Sequence, residues 1–407
     1  MRSPTKSLPT TAALLATLTR LRFPLVVYAV SRLLDGVLLW WLTRDELAMP
    51  APGYEAYHVA SPTPANPDYW TATTQWDGQW YRSVVQDGYP VPLPHGADGV
   101  VERSTWAFYP AYPMLVRGLM VLTRMPFEVV APLTSTVAGA IAICLLYRLL
   151  LETGGTFVAR ATVAGLCTYA AAPVFQVAYP ESLALLLVLS CLLLARRGRW
   201  RWFAVAAVAL ALTRPLAAPL GAAVALSGLV RWPGSTDPRP DGPTRRPLVL
   251  AGFGAMALTG LWPGIAGLST GQWDAYFATS RAWTPGLGTV FPGVVVWWEN
   301  AGVSGIILLI ALVAPLLALP LRRGAAAWGD GLRGWMFAYT GYLLATTVPG
   351  PSHVRYYALV AVWPFVERVP PQQRHRRFVT VGVAVVGGIL AQVLWLRYFW
   401  RLVGTTP

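Results

Sequence analysis

Long apolar runs recur along the whole chain, and short clusters of arginine separate them. No other feature restricts the fold as much. A run of about 20 apolar residues crosses a bilayer as a helix, because backbone polar groups in hydrocarbon must be bonded within the segment. The runs are unbroken and lack the period-two alternation of a barrel strand, so the pattern predicts an all-α polytopic membrane protein. Only 12% of the 407 residues are charged, against about 25% in a soluble domain. The mean hydropathy is +0.48. The net charge of +14 comes from arginines in short loops, as cytoplasmic loops require, and no nucleic-acid partner follows from it. Cys144, Cys167 and Cys191 sit inside apolar runs and read as small hydrophobes. Lys6, Arg20 and Arg22 precede the first run, which favours an uncleaved first span over a signal peptide.

In order, spans are expected over about 23–42, 129–150, 161–178, 183–195, 202–212, 216–230, 248–268, 293–321, 334–348, 358–366 and 378–396, about eleven in all. One orientation puts every basic cluster from Arg148 to Arg377 inside. Arg397 and Arg401 are the exceptions, falling outside at the end. The polar segments of this single 1–407 domain are a first extracytoplasmic loop (43–126), a cytoplasmic loop (231–247) and a second extracytoplasmic loop (269–292). Within the first span, Arg32 and Asp35 are three apart, so they either pair on one helix face or line a cavity.

The first extracytoplasmic loop carries the stretch Thr74-Gln75-Trp76-Asp77-Gly78-Gln79-Trp80-Tyr81-Arg82. Trp70, Trp76, Trp80 and Val84 recur at roughly helical spacing, which predicts an interfacial helix over 67–86 with Trp76 and Trp80 on one face. The run after Phe108-Tyr109-Pro110-Ala111-Tyr112-Pro113 is short and reads as a second interfacial or re-entrant segment.

Under this orientation the outward ends carry Asp77, Tyr89, Tyr109, Glu181, Arg214, Asp274, Arg281, His353 and Arg355. Arginine kept outside, against the charge rule, suits a phosphate gripped bidentately, or else a lipid headgroup. His353 and Arg355 follow a Pro-Gly-Pro turn, with Tyr356 beside them. Glu181 reads as a site carboxylate or as a helix N-terminal charge after Pro180. Neither a phosphate-binding glycine motif nor a His/Cys cluster with metal spacing is present. A divalent metal is therefore not indicated, and no cofactor is implied.

Four stretches together carry a family resemblance. Trp76-Asp77-Gly78-Gln79-Trp80-Tyr81 with Gly88-Tyr89 resembles the W-D-x-x-W-Y…G-Y signature of the PIG-V-like mannosyltransferases. Phe108-Tyr109-Pro110-Ala111-Tyr112-Pro113, Tyr179-Pro180-Glu181-Ser182 and Leu212-Thr213-Arg214-Pro215 resemble that family's F-[FY]-P-x-Y-P, Y-[TP]-E-S and L-T-R-[PS]. The resemblance spans about Phe23 to Pro215, with the C-terminal half variable, and the composition is similar to that of actinobacterial envelope members.

It implies a GT-C glycosyltransferase fold of the cell membrane, with its active site on the extracytoplasmic side. It also implies a polyprenyl-phosphate-mannose donor, a glycolipid or lipid-linked glycan acceptor, and transfer with inversion. Asp77 matches the family's acidic position and is expected to act as general base. Trp76, Trp80, Tyr81, Tyr89, Tyr109 and Tyr112 are expected to meet sugar or lipid, and Glu181, Arg214, His353, Arg355 and Tyr356 to line the donor site. The reading from another class is a transporter or flippase of a lipid-linked sugar. Such proteins are often built from internal repeats, and none is visible here.

Overall fold

The computed structural model describes residues 11–49, 60–235, 242–283, 291–348, 350, 352–360 and 373–401. Every regular element among them is helical, and two isolated bridges, Met49 with Thr63 and His95 with Val101, are the β pairing they show. The segment that follows α1 (Thr11–Thr43) holds α2 (Tyr69–Ala72), α3 (Asp77–Gln86) and α4 (Ala111–Thr123). Then come α5 (Phe127–Thr153), α6 (Gly155–Cys167), α7 (Glu181–Arg196), α8 (Trp200–Ala211), α9 (Ala217–Leu229) and α10 (Gly242–Ala257). The rest is α11 (Leu261–Thr270), α12 (Ala275–Trp283), α13 (Pro292–Ala318), α14 (Asp330–Thr346), α15 (Ser352–Tyr356) and α16 (Arg374–Trp395).

Five helical stretches are long and apolar enough to cross a membrane: Leu21–Thr43, Phe127–Thr153, Arg245–Thr270, Pro292–Leu321 and His375–Trp400. This is the helical membrane class that the sequence predicts. Helices α4, α6, α8 and α9 are apolar but have 12 or 13 residues, about 20 Å at 1.5 Å per residue against a hydrocarbon core of about 30 Å. The expected span over 161–178 is not one helix. Helix α6 stops at Cys167, and Pro173 sits in a buried 3₁₀ stretch, Ala172–Gln176, because proline lacks the N–H a continuing helix needs. Most of the expected span over 358–366 lies outside the described residues, as do 236–241 of the cytoplasmic loop and 284–290 of the second extracytoplasmic loop.

Helix α5 is the packing hub, in contact with α1, α4, α6 and α7, while α9 lies between α10 and α14. Small residues set two of the closest approaches. A Cβ on Gly221 would stand 2.4 Å from the Gly252 carbonyl oxygen, so α9 and α10 cross backbone to backbone. Gly139 on α5 leaves room for the Tyr28 hydroxyl, which donates to the Thr136 carbonyl at 2.9 Å and ties α1 to α5.

The predicted single helix over 67–86 is two helices. Trp76 interrupts it with φ +55° and ψ −122°, so Trp76 and Trp80 share no helix face. Helix α3 buries Tyr81, Val84 and Val85 and packs against α4. The short run after Pro110 is α4, seated on α3 and α5.

Of the two readings of Arg32 and Asp35, the structure shows the pair. Arg32 Nη2 lies 2.8 Å from Asp35 Oδ2, with 8% and 0% of the side chains exposed. Arg32 Nη1 also donates to the Ala172 carbonyl at 2.7 Å, so the pair braces the 3₁₀ stretch that leads to Glu181. Removing one partner of a buried pair strands the other charge and costs about 3–5 kcal/mol. Asp35→Ala is accordingly expected to lower thermal stability in detergent by that order. A loss well under 1 kcal/mol would show that the pair does not hold this region together.

Candidate active site

Four charged side chains from four separate stretches meet at one end of the helices. Asp77 is the first residue of α3, where a carboxylate complements the helix dipole. Glu181 opens α7 directly after Pro180. Arg214 lies in the α8–α9 turn, and Arg355 lies on α15. Arg355 Nη1 is 2.7 Å from Asp77 Oδ2, and Arg355 Nε is 3.9 Å from Glu181 Oε1. Arg214 Nη1 bonds the same Glu181 oxygen. Two carboxylates thus face two guanidinium groups, and the cluster is formally neutral.

Accessibility separates their roles. Glu181 is 0% exposed, Arg355 6% and Arg214 15%, whereas Asp77 is 28% exposed. Tyr356 lies against both cations, its ring centre 5.2 Å from the Arg214 guanidinium and 5.3 Å from that of Arg355. Tyr179 lies 5.0 Å from Arg355 on its own side. Burial pulls the Arg355 pKa down, but the Asp77 carboxylate leads the groups that more than offset this and hold it well above the ordinary value. Burial likewise lowers the Arg214 pKa, and Glu181 more than reverses the shift. Both guanidinium groups are therefore charged at any working pH. Some of the cluster's bonding capacity is unused among the described residues. Arg355 Nε and Nη1 have no aligned hydrogen bond despite the close Asp77 contact, and buried Glu181 Oε2 has none at all.

Main-chain and hydroxyl bonds hold the four stretches together. The Asp77 N–H donates to the Tyr179 hydroxyl at 3.1 Å, and the Ala178 N–H donates to the Thr73 carbonyl at 2.8 Å. The Ser135 hydroxyl donates to the Tyr179 carbonyl at 2.8 Å, and the hydroxyls of Ser135 and Tyr112 are 2.9 Å apart. The Ala111 N–H donates to the Leu212 carbonyl at 2.8 Å. Each of the four sequence motifs is bonded to another.

The remaining expected residues fall into two groups. Tyr81 and Tyr109 lie close enough to Arg214 for its charge to act on them, although burial dominates and pushes both phenols far up. Tyr109 bonds Tyr276 of α12 at 3.2 Å, which brings the 43–126 and 269–292 segments together. Trp80 stacks on Phe108 at 5.8 Å and meets Trp283 edge-on at 4.7 Å. Tyr89 packs on Trp106 and Trp262 and donates to the Phe108 carbonyl. Trp76 and Tyr112 are 3% and 0% exposed, with polar atoms bonded to protein, so in this structure they offer a substrate no surface.

His353 was expected to share the positive charge of the donor site, and its surroundings give it another role. Its Nδ1 accepts the Gly350 N–H at 3.1 Å, which leaves the proton on Nε2, 2.7 Å from the Thr347 hydroxyl. Burial pulls its pKa down to about 4, so the ring is neutral at pH 7 and closes the turn into α15. Asp274 pairs with Arg281 at 3.0 Å with both half exposed, outside the charge cluster. Among the described residues no group of three or more His, Cys, Asp or Glu gathers as a metal site. Tyr179 is part of the Tyr179-Pro180-Glu181-Ser182 motif, but the sequence assigns it no site role; the structure sets it against Arg355 and Asp77. For Trp400 the sequence holds no signal. No family model matches the chain, and no match was found among curated proteins.

The neutral His353 has a pH consequence. Its folded pKa of about 4 lies below an unfolded value of about 6.5. The unfolded chain therefore takes up the proton first as pH falls. The stability is intact above about 6.5 and declines between about 6.5 and 4, by on the order of 2–3 kcal/mol in all. His353→Gln should flatten the fall of the melting temperature in that window. An unchanged slope would place the proton-linked loss at another group.

Proposed function

We propose that the chain is an inverting glycosyltransferase of the GT-C type, with about eleven membrane crossings and its site on the extracytoplasmic face. It would move mannose from a polyprenyl-phosphate-mannose donor to a glycolipid or lipid-linked glycan. The observation that carries this reading is the convergence of Asp77, Glu181 and Arg214, from three of the four motifs, on one buried charge cluster with Arg355. The fourth motif is tied to the stretches that carry the cluster, through the Ala111 N–H to the Leu212 carbonyl and through Tyr112 and Ser135 to the Tyr179 carbonyl.

Asp77 is the carboxylate suited to proton transfer, because it alone keeps substantial exposure while sitting in the cluster. An acceptor hydroxyl oxygen attacks the anomeric carbon and gives its proton to Asp77. The bond from that carbon to the phosphate oxygen breaks, and its electron pair leaves with the lipid phosphate. Arg355 and Arg214 offset the charge that gathers there, since guanidinium groups fixed in a buried site stabilise a developing oxyanion strongly. In the structure Arg355 already holds Asp77, so phosphate and carboxylate share one cation. Donor binding would loosen that hold and leave Asp77 free to accept a proton. Glu181, fully buried on Arg214, positions the second cation.

Asp77→Asn keeps the shape but removes the base, and transfer is expected to fall on the order of 10²–10⁴-fold with the protein still folded. Near-normal turnover would remove Asp77 from the mechanism. Arg355→Ala is expected to weaken apparent donor affinity at saturating acceptor by tenfold or more, on the scale of a charge-assisted hydrogen bond of about 1.5–3 kcal/mol. Arg355→Lys should recover part of it, because a point charge lacks the planar fork. Unchanged donor affinity in both Arg355→Ala and Arg214→Ala would put the phosphate elsewhere.

A further inference from the structure

The last described turn of the chain meets the turn that carries Asp77. After α16 the chain continues through a π-helical turn, Leu396–Trp400, whose Leu396 and Trp400 are buried. The Trp76 indole Nε1 donates to the Trp400 carbonyl at 2.6 Å, across 324 residues of chain. The Trp400 indole Nε1 donates back to the Ala72 carbonyl at 3.1 Å, at the end of α2. The Trp400 ring lies 5.5 Å from that of Tyr179, and Arg401 Nη2 donates to the Asp45 carbonyl at 3.2 Å. The turn before α3 is thus clasped from below by the C-terminal turn and bonded through the Asp77 N–H to Tyr179.

Trp76 explains why a clasp is needed. Its φ of +55° with ψ of −122° is a region that a bulky L-residue avoids, at a cost of roughly 1–3 kcal/mol. Such a conformation persists only where the surroundings over-determine it. Here the indole is 3% exposed and its N–H is held by a carbonyl from the far end of the chain. The next residue is Asp77. A relaxed residue 76 would change where α3 begins, and with it the direction from which the carboxylate meets Arg355.

We propose that Trp400 is a positioning residue for Asp77, acting through Trp76. The C-terminal turn holds Trp76 in its left-handed conformation and so fixes the carboxylate at the charge cluster. The same docking gives Arg401, which falls on the unfavoured side of the charge pattern, a definite job as a clamp on Asp45. The catalytic half of this proposal rests on the transferase reading above; the structural half does not.

The test uses the full-length protein with Trp400→Ala, Trp400→Phe and Trp76→Phe. Hydrogen exchange is measured over residues 73–79, alongside steady-state transfer from polyprenyl-phosphate mannose. Trp400→Ala and Trp76→Phe are expected to speed exchange at 73–79 by about tenfold while α5 and α7 keep their protection. Turnover should fall between about ten- and a hundredfold with donor KM little changed, since displacement of a catalytic group by about 1 Å costs that much. All three variants keep the main-chain carbonyl of residue 400; Trp400→Phe also keeps an aromatic ring against Tyr179, loses only the indole N–H bond to the Ala72 carbonyl, and should restore most of the turnover. Unchanged exchange at 73–79 would overturn the proposal, as would faster exchange with unchanged turnover. Turnover loss matched by an equal loss of folded protein would overturn it too. If the wild-type protein transfers no mannose at all, the transferase reading fails by itself. The exchange arm then still decides whether Trp400 sets the Asp77 turn.

Discussion

A guanidinium group with 6% of its side chain exposed cannot stand among apolar helices unless anions meet it. Arg355 is in that position, and Asp77 and Glu181 meet it from α3 and α7. Its placement fixes much else. Glu181 must carry a second cation, which is Arg214, and Tyr356 must lie flat against both. The 3₁₀ stretch before α7, Ala172–Gln176, must also be held rigid, or Glu181 would drift from its partners. The Arg32–Asp35 pair braces that stretch from α1 through the Ala172 carbonyl, so a buried ion pair in the first span supports the cluster at a distance.

Much of the site was readable before the fold. Asp77, Glu181, Arg214 and Arg355 are each charges beside apolar runs, which a membrane protein retains only for cause, and the sequence marks them for that reason. What the sequence could not supply was pairing. Nothing in the spacing of 181, 214 and 355 says that one Glu181 oxygen serves two arginines. The aromatic residues were the least legible. Trp76, Tyr112 and Trp80 have the composition of a sugar platform and of a packed core alike, and the structure uses Trp76 and Tyr112 for packing and hydrogen bonds. His353 looked like a charge because histidine often is one, and burial with two hydrogen-bond partners makes it neutral.

The fold was legible at the level of class and of its longest helices. Phe127–Thr153 and Pro292–Leu321 are long and apolar, and the sequence places both within a few residues, although the second is kinked at Gly302 (φ +55°, ψ −137°). Two boundaries misled. Residues 161–178 have a continuous apolar count, but Pro173 and the α1 contacts pull Ala172–Gln176 into a tighter coil. Residues 67–86 have helical periodicity, but residue 76 takes a backbone conformation that tertiary contacts impose and no local propensity forecasts. Both departures lie beside the charge cluster, where tertiary contacts override local regularity.

The account stands or falls on whether the cluster transfers a sugar. Purified protein is incubated in lipid vesicles with labelled polyprenyl-phosphate mannose and envelope glycolipids, and the anomeric configuration of the product is read by NMR. Label joined to the glycolipid with configuration opposite to the donor's is the expected result. A donor moved between leaflets with its sugar intact, or a product that retains the donor's configuration, would contradict it.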